Sequence, residues 1–171
     1  YHIVVTKSSN NSPKMYVNGL LETFNSQSGN TSINPSYQSQ NFPTLGVEYG
    51  VGSYYGYLNG RMDSITTWTK SLSPAEVSAL YNGGNGTQYP YSSQTLATPF
   101  NKIGVDNGTL VNGATLTTGK IGSAFVFNGS NYVQFTNNSL NNLTGSFSVS
   151  AWFKTAASIQ NSENYIFNNR S

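Results

Sequence analysis

The stretch 58–84, LNGRMDSITTWTKSLSPAEVSALYNGG, constrains the fold most, because an extended segment, a helix start and a helix stop follow one another inside it. Ile65, Thr66, Thr67 and Trp68 are β-branched or aromatic and suit a pleated strand. Strict alternation would send Asp63, Ile65 and Thr67 to one face of a sheet and Met62, Thr66 and Trp68 to the other. At Ser73-Pro74-Ala75-Glu76 the period changes. Ser73 is placed to accept from the backbone N–H of Glu76, Pro74 takes the first helical position, where no N–H is needed, and Glu76 reaches back to the cap. Leu72 and Val77 occupy the positions of a hydrophobic staple. Val77, Leu80 and Tyr81 give the helix an apolar side, and Gly83-Gly84 end it with residues that tolerate positive φ. The spacing predicts one short helix near 74–82 in a chain that otherwise reads as strands.

Upstream, residues 1–7 (YHIVVTK) alternate at once, residues 14–17 return after a polar turn, and Asn18-Gly19 supplies a type I′ turn into residues 20–24. Residues 25–43 have no period and read as a loop, 45–49 as a short strand, and 50–56 (GVGSYYG) as a flexible loop. Residues 84–100 have the composition of a linker. Beyond them, strands are expected in 108–113, on both sides of a tight turn in 119–135, in 146–154 (SFSVSAWFK) and from Tyr165. In the SFSVSAWFK stretch, Phe147, Val149, Ala151 and Phe153 fall on one face and the serines with Trp152 on the other.

Only 8% of the 171 residues are charged, so the surface must be polar through amides and hydroxyls, while 36% apolar and 13% aromatic residues suffice for a core. Eight basic and six acidic residues, in no run of either sign, leave no electrostatic footprint for nucleic acid. No apolar run is long enough for a membrane span. Cysteine is absent, which excludes a disulfide framework.

The pattern Gly60-x-x-Asp63-x-Ile65, Trp68, Lys70-Ser71-Leu72-Ser73-Pro74-Ala75-Glu76-Val77, Leu80-Tyr81 resembles the closing strand and short terminal helix of laminin-G-like, concanavalin-A-like sandwich domains. The later segments, G-T-L-V-N-G, G-K-x-G-x-A-F-x-F-x-G, Y-V, S-F-S-V-S-A-W-F-K and Y-I-F, resemble the opening of such a domain. The resemblance implies an all-β, antiparallel sandwich (jelly roll). It also divides the chain into a closing half (1–83), a linker (84–100) and an opening half (101–171), in reversed order. Two arrangements produce that order: a window across two tandem repeats, or one circularly permuted domain. The straddling arrangement is favoured, because the strands the family places between Phe167 and Tyr1 are missing. It predicts open sheet edges at residues 1–7 and after Phe167, and self-association through them.

Site residues follow from both sources. If Asp63 alternates with Ile65, its carboxylate points to an apolar face, where an unpaired charge is costly. The resemblance implies a structural calcium at this acid, with Asp106 and Asn128 as the further candidates; the other reading has Asp63 accepting backbone N–H bonds from an adjacent loop. Tyr49, Tyr54, Tyr55 and Tyr57, beside a glycine-rich loop, suit either a platform for sugar rings or amphipathic cover for a surface with few charges. Trp68 and Trp152, inside regular strands, are expected in the core.

Catalysis is not expected. Retaining glycosidases need two close carboxylates, and the nearest acids on strands here, Glu48 and Asp63, are fifteen residues apart. His2 is the sole histidine, and no G-x-S-x-G elbow accompanies it. The resemblance, which extends to repeats of bacterial surface adhesins and phage fibre or decoration proteins, implies a non-catalytic module on the outside of a cell or virion. Its partners would be glycans or neighbouring repeats. The competing classes are a carbohydrate-binding module of a larger glycoside hydrolase and a structural spacer.

Overall fold

The computed structural model describes residues 1–9, 11–23, 44–50, 52–88, 101–102, 108–135, 145–156 and 167–168. The expected loop at 25–43 and most of the linker lie outside them.

In chain order the strands are β1 (His2–Lys7), β2 (Lys14–Val17), β3 (Leu20–Leu21), β4 (Thr44–Leu45), β5 (Glu48–Gly50), β6 (Ser53–Tyr55) and β7 (Asn59–Trp68). Helix α1 (Pro74–Tyr81) follows, then β8 (Asn101–Lys102), β9 (Thr109–Val111), β10 (Thr115–Thr118), β11 (Ser123–Asn128), β12 (Tyr132–Gln134), β13 (Phe147–Thr155) and β14 (Phe167–Asn168). The large antiparallel sheet has the order β10-β11-β7-β13-β1-β2-β3, with β8 also on β7; a second has the order β14-β4-β12-β9, and β5 and β6 form a hairpin.

Strands of the two halves interleave at the centre of the large sheet, in the order β11-β7-β13-β1. β13 lies between β7 and β1, and β11 pairs with β7 on its other side. β1 is therefore an interior strand, paired with β13 and β2, and not the open edge its sequence position suggested. The outermost strands are β10 and β3.

Between the two sheets lies a core of Leu45, Leu58, Met62, Ile65, Phe127, Val133, Phe135 and Ala151, drawn from both halves. The other face of the large sheet is covered by α1: Val4, Tyr16 and Trp68 pack on Leu72, Val77 and Leu80. That cover explains why the serine face of β13 is buried. Ser148, fully enclosed, accepts from Leu72 N (2.9 Å) and donates to the Lys70 carbonyl (2.8 Å). The capping box forms as expected, with Ser73 N donating to Glu76 Oε2 (2.8 Å) and Glu76 N to Ser73 Oγ (3.3 Å). Lys70 adds an ion pair to Glu76 at 2.7 Å. The helix stops one residue before the glycines: Asn82 is the first left-handed residue (φ 49°).

Three local expectations need correction. The stretch 45–49 is not one strand, because Gly46 at φ 79° breaks it into β4 and β5, which join different sheets. A Cβ at Gly46 would lie 2.6 Å from the Phe127 ring, so this turn needs glycine for space as well as for φ. Part of the supposed loop 50–56 is a strand, β6, paired with β5 from Glu48↔Tyr55 to Gly50↔Ser53. Finally, simple alternation fails in β7. Ser64 has φ 49°, and the β7/β13 register shifts between Asp63↔Trp152 and Thr66↔Ser150, so two residues oppose Ala151 alone. This β-bulge puts Ile65 in the same core as Met62 and leaves Asp63 beside Trp152 on the opposite face.

Candidate functional site

The bulge at Ser64 builds the site, because it turns Asp63 and Trp152 together toward the helix-bearing face of the large sheet. Asp63 is buried (5% exposed), and both of its oxygens are used: Oδ2 accepts from Ile121 N at 2.6 Å and Oδ1 from Ser64 Oγ at 3.0 Å. Of the two readings of Asp63, the structure shows the loop contact. The bonded loop is the turn between β10 and β11, closed by Gly119 N donating to Gly122 O (2.8 Å). A side chain at Gly119 would collide with the Asp63 carboxylate, so the close approach depends on that glycine.

The loop places the Lys120 ammonium 5.6 Å from the centre of the Trp152 ring, within cation–π range. Trp152 is half-buried, not sealed in the core as its place in a strand suggested. Its neighbours are His2 (centroids 4.9 Å apart) and Tyr81 of α1 (5.9 Å, 18° between planes). His2 is buried with Nε2 2.9 Å from Ser150 Oγ. Burial, and secondarily the nearby N-terminal ammonium, pull its pKa down to about 4, so the ring is neutral at pH 7. On the other side of this row Arg61 stands directly opposite Lys154 in the β7/β13 ladder, both exposed.

Together these residues border a pocket of about 340 Å³ lined by Tyr1, Arg61, Met62, Asp63, Thr118, Gly119, Lys120, Ala124, Trp152, Phe153 and Lys154. Tyr1 stacks on Phe153 at 5.6 Å. Of the candidate site residues named from the sequence, Asp63 lies here. Trp152 was legible as an aromatic strand residue, but its role depends on the bulge in β7, from the other half of the chain, and on the 119–122 loop.

The tyrosines form a separate group. Tyr54 stacks on Tyr132 (4.7 Å, 30°), and Tyr57 lies 6.4 Å from the same ring. Burial, then a hydrogen bond to Tyr54, raises the Tyr132 pKa above the usual phenol range. The Tyr54–Tyr132 stack occupies one face of each ring and ties the β5/β6 hairpin to β12. Tyr55 is half-buried opposite Glu48, and the Tyr49 side chain lies outside what is described.

The structure does not bring Asn128 to Asp63. Asn128 pairs with Asn59, four residues from Asp63 along β7, roughly 13 Å at about 3.3 Å per residue, whereas calcium ligands sit at about 2.4 Å from the ion. Asn128 Oδ1 instead accepts from Ser130 N (3.0 Å) and Ser130 Oγ (2.9 Å). Asp106 lies outside the described residues. Among the described residues no group of three or more His, Asp or Glu could hold a metal ion, and no helix is long and apolar enough to cross a membrane.

Antiparallel sheets packed around a shared core, with one short α-helix among the described residues, form a β-sandwich consistent with the concanavalin-A-like class. Residues 1–78, which run from β1 into α1, match the laminin-G-type family model described as the concanavalin A-like lectin/glucanases superfamily. Searches of curated proteins and of solved structures return no match.

Proposed function

We propose that the chain is a non-catalytic saccharide-recognition module of the adhesion type, working on the exterior of a cell or virion, and that its ligand enters the Trp152 pocket. One observation carries the reading: a pocket of about 340 Å³, within the size range of small-ligand sites, combines aromatic walls with several polar and charged tips on a rigid sheet. The family of residues 1–78, a lectin and glucanase superfamily, supports the saccharide class. The positions of the acids support the absence of catalysis. Glu48 lies in the β5/β6 hairpin and Asp63 in the large sheet, where its carboxylate is committed to Ile121 and Ser64.

A glycan array followed by calorimetry on the best ligand tests this. Thr118 is exposed at the pocket wall, so Thr118→Trp should fill the pocket and abolish binding while melting stays unchanged. Tyr55→Ala should leave affinity intact. Loss in Tyr55→Ala alone would move the site to the tyrosine group, and silence across the array would remove the saccharide reading.

A further inference from the structure

Charge is scarce in this chain, yet three of its eight basic residues, Arg61, Lys120 and Lys154, meet at one pocket. Two of them are direct cross-strand partners in the β7/β13 ladder. Like charges at directly opposed positions, with Cβ atoms about 5 Å apart, destabilise a sheet. Among the described lining residues one acid, Asp63, accompanies these three cations, its carboxylate buried and bonded to Ile121 N and Ser64 Oγ. The ion pair Lys70–Glu76 lies away from this pocket, at the start of α1. Three cations against one buried carboxylate leave the described lining of the pocket with a net positive charge.

We propose that the pocket selects an anionic saccharide, a sugar ring bearing a carboxylate or sulfate. Arg61, Lys154 and Lys120 would hold the acidic group, and Trp152 would wall the apolar side of the ring. This rests on the saccharide reading above and adds the charge class of the ligand. The guanidinium of Arg61 can take a carboxylate or sulfate through two parallel hydrogen bonds, and the lysines add point charges. Binding neutralises the Arg61–Lys154 repulsion, so the ligand gains from a conflict already built into the sheet.

The test is calorimetry on the whole chain with four probes: trigalacturonate (carboxylated), a heparin-derived tetrasaccharide (sulfated), neutral galactotriose and inorganic polyphosphate. One or both acidic sugars should bind at least tenfold more tightly than galactotriose and weaken steeply between 50 and 500 mM salt; which of the two prevails distinguishes carboxylate from sulfate. Arg61→Gln and Lys154→Gln should each weaken that binding about tenfold, the scale of losing one charge-assisted contact. Because each also relieves the like-charge pair, neither should lower the melting temperature. Equal affinity for neutral and acidic sugars, or no loss in the two variants, would overturn the anionic class while leaving saccharide binding intact. Polyphosphate binding as tightly as the acidic sugars would overturn it by showing a general polyanion surface. No binding of any sugar would remove both readings.

Discussion

Replacing Asp63 by alanine tests the local architecture of the site most sharply. In the native chain the carboxylate is 5% exposed and accepts from Ile121 N at 2.6 Å and from Ser64 Oγ at 3.0 Å. Asp63→Ala removes a charge-assisted bond and leaves the Ile121 N–H facing a cavity, a loss of about 2–3 kcal/mol. For a domain of this size that lowers the melting temperature by roughly 4–12 °C at about 2–4 °C per kcal/mol. Asp63→Asn keeps an acceptor for Ile121 N but loses the charge, so it should fall between wild type and alanine. The 119–122 loop carries Lys120, hence both variants should also loosen the pocket wall. Calorimetric melting of the three proteins, each with and without EDTA, is the assay. No chelator effect is expected, because Asp63 already has protein partners and stands far from Asn128. A melting temperature unchanged in Asp63→Ala would refute the loop-anchoring role, and a marked fall on chelation in the wild type alone would restore a calcium at this acid.

Two further predictions come from buried polar groups. His2 titrates near 4 in the folded state and near 6.5 when unfolded, so the unfolded chain binds the extra proton between these values and stability falls as pH drops through that window. The loss attributable to His2 should reach about 2 kcal/mol by pH 5 and about 3 kcal/mol below pH 4, with His2→Gln showing a flatter profile in denaturant titrations; identical pH slopes would contradict it. Ser148→Ala strands Leu72 N and the Lys70 carbonyl in the seam between β13 and α1, and should cost about 2 kcal/mol by the same titration, whereas a neutral result would mean that water reaches the seam.

Much of the fold was legible because its signals are local. The Asn18-Gly19 turn, the Ser73/Glu76 box and the alternation of β13 each lie within a few residues, and each appears where the sequence put it. What was not legible depends on partners distant in sequence. The turn at Gly46 leaves no room for a side chain beside Phe127, 81 positions away (127 − 46), and the bulge at Ser64 lies in the register against Ala151. The candidate site suffered most from this. Strict alternation placed Asp63 with Ile65, but one positive-φ serine reversed that relation and made Trp152 its neighbour. The convergence of Arg61, Lys120 and Lys154 could not be read from a chain in which they are separated by 59 and 34 positions (120 − 61 and 154 − 120).

All of this rests on strands of the two halves lying side by side in one sheet, since Arg61 comes from one half and Lys120, Trp152 and Lys154 from the other. Asn59 and Asn128 are exposed partners at the β7/β11 junction, and the neighbouring bond from Gly129 N to Leu58 O (2.9 Å) makes theirs a non-hydrogen-bonded pair, with Cα atoms about 4.5 Å apart. That spacing admits a disulfide, and the chain has no other cysteine to compete. The decisive measurement is therefore oxidation of the Asn59→Cys/Asn128→Cys double variant at low protein concentration, read by intact mass and non-reducing electrophoresis. One sheet shared by both halves predicts a monomer with a single internal disulfide formed in near-quantitative yield. Disulfide-linked dimers and ladders, or two free thiols, would show that the halves find their partners in other chains and would contradict the site as built here.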